Sequence, residues 1–541
     1  GGNNVGIGYL ALHANTTGTQ NVAVGSNALD SNTTGTNNTA IGYKSGNSIT
    51  TAINNTAVGM QSLKLTTTGN FNAAFGLNAV LYNTTGTNNT GLGTYALSNN
   101  TTASNNTAVG YLSLAANTTG ANNVAVGANA LDANTTGNHN VAIGADALTT
   151  GTQVSNCVAI GRRSLQLNTA NNNTAVGSDT LKANTSGAFN VAMGYASLST
   201  NTTGDSNTAL GRASLALNTT GSTNTAIGDL ALNTNTTGTF NTAVGANALD
   251  ANTTGVSNSA FGQNSLTANT TGYNNVGLGQ EALRQNTQGF ENVSVGRASM
   301  EENTTGDNNV AVGNKALQKN TTADDNTAVG NFALNQNTTG ATNTAIGAEA
   351  CEAITTGNKN IGIGYQALHS AQTNHNNIAI GYQALSVNTT ASTMVAIGYT
   401  SQKYSTGADN CTVGGHTMEA SGSTGSYNTV LGTQALSQHT TGSFNTAIGR
   451  QAAQDSTTAS NTVAVGSGAL TNLTTGSQNT ALGSAAMSTL TTASNNVAVG
   501  YASLGANTTG TSNTAVGASA LDANTTANEN TAVGYEALTA T

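Results

Sequence analysis

The chain has 541 residues, with 65 Gly, no Pro, no Trp and only 6% charged side chains, a composition unlike that of an ordinary multidomain enzyme. Small apolar residues recur at fixed places and 37% of the chain is hydrophobic, which separates it from disordered segments. The net charge of −9 comes from scattered acids, so no basic stripe exists to neutralise nucleic-acid phosphates. No apolar run approaches the roughly 20 residues of a membrane helix, so neither nucleic-acid binding nor membrane insertion is expected.

From the first residues onward the chain repeats. A Gly follows a small-apolar pair at Gly8, Gly25, Gly42 and Gly59, and the series runs on to Gly534. Of its 31 intervals, 28 are 17 residues, two are 16 (Gly161 to Gly177, Gly398 to Gly414) and one is 18 (Gly414 to Gly432). The last residues stop within a unit, which reads as a segment of a longer protein.

One unit is Asn123-Val-Ala-Val-Gly127-Ala-Asn-Ala-Leu131-Asp-Ala-Asn134-Thr-Thr-Gly137-Asn-His139. The residue before the anchor Gly is apolar in all 32 units, and four residues after it stands Leu in 24. Seventeen residues are too few for a helical hairpin but hold two short strands and two turns. The Thr/Val-Ala-Val/Ile stretch reads as strand and Asn-Thr-Thr-Gly as an exposed turn. The expected fold is therefore all-β: a parallel β-solenoid, one coil per repeat and about 32 coils, forming a single continuous domain over 1–541. An irregular stretch is expected at 399–431.

The Val/Ile and Leu columns are expected to face inward, with Val126, Leu131, Ile143 and Leu148 as representative core residues. At the inter-strand spacing of about 4.8 Å, such a rod would be roughly 150 Å long. Two large apolar side chains per coil are little burial against the ordering of 17 residues. The Ala column (Ala125, Ala142, Ala226) is read as a second face of small residues where chains approach closely, so a homo-oligomer is expected.

The units Asn21-Val-Ala-Val-Gly25, Asn140-Val-Ala-Ile-Gly144 and Asn445-Thr-Ala-Ile-Gly449 resemble the head repeats of trimeric autotransporter adhesins. They are also similar to Asn-Thr-Ala-x-Gly-Tyr-x-Ala-Leu repeats of phage and viral tail fibres. The resemblance implies a homotrimer of β-rolls at a cell or virion surface, carrying or displaying a receptor-binding region. The function expected is a structural fibre shaft. The alternative is an adhesive module that binds glycans or host surfaces along its side.

Asn15, Asn32, Asn117, Asn134, Asn201, Asn252 and Asn303 each begin Asn-Thr-Thr, an N-glycosylation acceptor pattern. The competing reading is a ladder of amides and hydroxyls bonded from coil to coil. Tyr43, Tyr111, Tyr195, Tyr365, Tyr382, Tyr399, Tyr501 and Tyr535 follow the anchor Gly and read as corner fillers, or as stacking faces for sugars. Cys157, Cys351 and Cys411 read as small core residues, and Glu301-Glu302 and Asp324-Asp325 as solvated surface. The histidines (His13, His139, His369, His375, His416, His439) show no ligand spacing, so no metal, cofactor or catalytic residue is expected.

Overall fold

In the computed structural model, which describes residues 2–539, every 17-residue unit forms one coil, and each coil contributes one three-residue strand. No helix occurs among the described residues. The chain divides between Tyr273 and Asn274 into two compact units, each an all-parallel β-solenoid. The first runs from β1 (Val5–Ile7) to β16 (Ser259–Phe261) and the second from β17 (Val276–Leu278) to β32 (Thr531–Val533).

Within each unit successive strands pair in parallel and in exact repeat register. Val124, Ala125 and Val126 of β8 (Val124–Val126) lie against Val141, Ala142 and Ile143 of β9 (Val141–Ile143). The remainder of a coil is a chain of turns, not the second strand expected. Asn129 and Leu131 hold φ of 57° or less on the positive side, at 56° and 53°, which breaks extended geometry twice in three residues. Coil-to-coil bonding continues through these turns: the Leu131 N–H donates to Ala147 O at 2.9 Å and that of Thr135 to Thr152 O at 2.7 Å.

The anchor Gly is required on two counts. Gly127 sits at φ 135°, open only to glycine, and a Cβ there would meet Gly144 O at 2.6 Å in the coil above. The turn Gly faces a similar limit, since a Cβ on Gly120 would press on both Gly137 O and Asn117 Oδ1.

The interior differs from the sequence expectation in one column. Leu131 and Leu148 are fully buried, but so are Ala125 and Ala142, whereas Val126 is half-buried and Ile143 is 38% exposed. Alternation along a three-residue strand sends its outer two side chains one way and the middle one the other. The interior opposite the Leu column is narrow enough that Ala is the residue that fits, so Val and Ile are turned outward. Asn134 and Asn140, at 0% exposure, complete the interior of this coil.

Both short intervals keep the ladder. Val158 still pairs with Thr174 between β10 (Val158–Ile160) and β11 (Thr174–Val176). The missing residue lies between turn and strand, where Asn168 Nδ2 donates to Ala170 O two residues on, not to a carbonyl three residues on. In the 399–431 stretch the strands β24 (Val395–Ile397), β25 (Cys411–Val413) and β26 (Thr429–Leu431) also stay in register. Irregularity is confined to the turns, with Ser421 and Gly422 exposed and Gly422 at φ 76°.

Candidate interaction surface

Each coil presents three kinds of lateral surface, set by where its side chains leave the narrow interior. The first is the outward side of the strand. Here the residue before each anchor Gly forms an apolar row that includes Met193, Leu210, Phe261, Leu278, Ile346 and Leu431, all exposed. Beside the row, just after the anchor, stand the tyrosines: Tyr43, Tyr111, Tyr195, Tyr365, Tyr382, Tyr399, Tyr501 and Tyr535 are all exposed. Where three occur in consecutive coils they stack, Tyr365 on Tyr382 at 5.5 Å and Tyr382 on Tyr399 at 5.2 Å, and His416 continues the column 5.1 Å from Tyr399. Stacking occupies the ring faces that a sugar would use and leaves ring edges and hydroxyls outward.

The second surface is the Asn-Thr-Thr-Gly turn, and its Asn points inward. Asn32, Asn117, Asn134, Asn201, Asn252 and Asn303 are fully buried, and Asn15, in the first coil, is half-buried. Asn117 Nδ2 donates to Asn100 Oδ1 of the coil below and to Gly120 O of its own turn, both at 2.9 Å. The same pair of bonds recurs at Asn201, Asn252 and Asn303. An amide nitrogen held in this way cannot receive a glycan without unseating its coil. Where Ile49 or Ile354 replaces the Asn, the preceding Oδ1, of Asn32 or Asn337, is left without a donor. The first Thr also points along the stack, as when Thr118 Oγ1 donates to Thr135 O at 3.0 Å, and the second, such as Thr136, is exposed.

Sequence reasoning missed a second amide ladder. The residue just before most strands is a buried Asn; Asn106 Oδ1 accepts the Asn123 backbone N–H at 2.9 Å, and Asn123 Nδ2 donates to Gly137 O at 2.9 Å. The column was visible in the sequence as an Asn of fixed phase, and its signal was that a polar residue keeps one phase within an otherwise apolar strand motif.

The third surface carries the charged side chains that stand two and five residues after the anchor Gly. Arg284 meets Glu301 at 2.7 Å, the two standing one repeat apart and each five residues after its anchor, whereas Arg212 and Asp229, 2.8 Å apart, directly follow theirs in the Tyr column. On the third surface Glu349, Glu352 and His369 place one donor atom each within 4.8 Å of the others. Spacing along the chain concealed this group, because Glu352 and His369 share a column one repeat apart.

Cys157 and Cys351 are buried, and burial pushes the Cys351 thiol up to about 12. Cys411 departs from the expectation of a core residue: it heads β25 on the outward side and is exposed. No pocket opens among the described residues. Neither a known family model nor a curated protein matches the chain.

Proposed function

We propose that the chain is the shaft of an attachment fibre at a virion or cell surface, a non-enzymatic spacer that associates with copies of itself, in threes by analogy with the families it resembles. The observation that carries this reading is the exposed apolar row repeated on the strand face. A partner covers such a row along its length only if it offers complementary residues at the same coil spacing, and a second copy in parallel register does so. The uniform coil length supports it as well, because no inserted loop walls off a cleft. Covering the row would also supply the apolar burial that one narrow Leu-and-Ala interior lacks.

Light scattering on the purified chain tests the association. An assembly of three times 53.5 kDa is expected. Lysine at Val126, Ile143 and Ile160 should dissociate it without altering the circular dichroism of the coil. A stable monomer of the unmodified chain would reject self-association, and a dimer or wider filament would reject only the number three.

The exposed tyrosines beside the row favour a second reading, in which the lateral surface adheres weakly to glycans at many points and avidity compensates for weak single sites. Saturable binding of the assembled chain on a glycan array, lost on replacing Tyr111, Tyr195 and Tyr501, would favour adhesion over spacing.

A further inference from the structure

We propose that Glu349, Glu352 and His369 form a binding site for a divalent transition metal, with Zn2+ the best match to the donors. His369 Nε2 lies 3.0 Å from Glu352 Oε2 and 4.0 Å from Glu349 Oε2. Tetrahedral zinc with bonds near 2.1 Å holds its ligands about 3.4 Å apart, so small side-chain rotations bring the three atoms onto one ion. One imidazole nitrogen with two carboxylate oxygens is a borderline donor set that suits zinc better than calcium or magnesium, which take oxygen alone.

The charges around the group point the same way. The chain is only 6% charged, yet two carboxylates converge here, and among the described residues the one ion-pair partner of either is His369. Two carboxylates against one imidazole make a donor group suited to a cation. On the same face Glu301 meets an arginine, Arg284, whereas Glu419 meets His416.

Neighbouring side chains already orient the ligands. Gln366 Nε2 donates to Glu349 Oε2 at 2.7 Å, and Gln383 Nε2 donates to Gln366 Oε1 at 2.7 Å from the next coil. Ser370 Oγ lies 3.4 Å from His369 Nδ1, which leaves Nε2 toward the carboxylates. All three ligands are partly exposed, so water completes the coordination shell. A bound ion would tie the coil of Glu349 and Glu352 to the coil of His369. This inference does not depend on the fibre reading.

The test is isothermal titration of the full chain with zinc chloride near neutral pH, run beside His369→Ala, Glu352→Gln and His416→Ala. His416 contacts Glu419 at 2.7 Å on the same face and serves as the control for adventitious histidine binding. The unmodified chain and His416→Ala should each bind with micromolar affinity. His369→Ala and Glu352→Gln should weaken that event at least about tenfold while keeping native circular dichroism. Absence of zinc binding, or binding that both ligand variants retain, would overturn the proposal.

Discussion

Gly91 and Val80 face each other across the interior of one coil, and a Cβ added to Gly91 would stand 2.5 Å from Val80 Cγ2. The corresponding pair in most coils is Ala opposite Leu, as in Ala142 opposite Leu131, all buried. Gly362 repeats the exception, because a Cβ there would collide with Cys351 Sγ. Side chains at the Leu and Ala phases thus share one small volume, and what stands at one limits the other.

Gly91→Ala is accordingly expected to destabilise its coil by about 1–3 kcal/mol through overpacking. Adding Val80→Leu restores the majority pair and should recover most of the loss. Amide exchange of the coil between Gly76 and Gly93 measures both. Unchanged protection in Gly91→Ala alone would refute the shared-volume account.

The periodicity of the anchor Gly made the coil legible, and the Thr/Val-Ala-Val/Ile stretch made the strand legible. Which side of the strand faced inward was not, because alternation admits two answers and one step exchanges them. Hydrophobicity favoured Val and Ile, yet column volume carried the better signal. The position before the anchor accepts Phe75, Met193 and Leu210 beside Val24, a spread that no close-packed site accommodates, whereas the preceding position is nearly always Ala or Gly. The Glu349, Glu352 and His369 group was illegible along the chain, because it exists only when residues one repeat apart are placed above one another.

Asn134 tests the amide ladder. Its Nδ2 donates to Asn117 Oδ1 at 3.2 Å and to Gly137 O at 3.0 Å, and the side chain is fully buried. Replacement by Ala leaves Asn117 Oδ1 buried without a donor, while Gly137 O keeps the one from Asn123 Nδ2, and should cost about 1–3 kcal/mol, against little for Thr136→Ala on the exposed face. Chain secreted from a glycosylating host should carry no glycan at Asn117, Asn134 or Asn201. Intact-mass and peptide mapping would detect one.

His439 occupies the turn-Asn phase, fully buried, with Nε2 2.6 Å from Gly442 O. Burial holds its pKa below the ordinary histidine value. The unfolded chain therefore binds this proton at a higher pH than the folded chain does. Stability should be unaffected well above about pH 6.5 and should fall as the pH drops below that value toward the folded pKa. His439→Asn restores the amide of the majority coil and should abolish this part of the acid sensitivity. Denaturant midpoints at several pH values, compared between the two chains, give the answer; parallel curves would contradict the burial argument.

In the 399–431 stretch the ordinary Leu and Ala are replaced by Gln402 and Thr412, both fully buried. Gln402 Nε2 donates to Val395 O and to Thr412 Oγ1, each at 2.9 Å, while Gln402 Oε1 has no donor. Thr412 Oγ1 is also 2.6 Å from Ser401 Oγ, which in turn reaches Thr417 Oγ1 at 2.8 Å. This is a polar network left one bond short, and a partly satisfied network is costlier than an apolar interior of the same shape. Thr412→Ala alone removes a partner from Gln402 and should destabilise the coil by about 1–3 kcal/mol. The double change Gln402→Leu with Thr412→Ala removes the orphaned oxygen and restores the Leu and Ala pair, while Ser401 keeps Thr417. It should raise stability above that of the unmodified chain by about 0.5–2 kcal/mol. The two substitutions share one contact, so their effects are not expected to add. Exchange protection between Gly398 and Gly414 reads out both variants. A double variant no better protected than Thr412→Ala would show that Gln402 is fully satisfied and that this stretch gains from its polar interior.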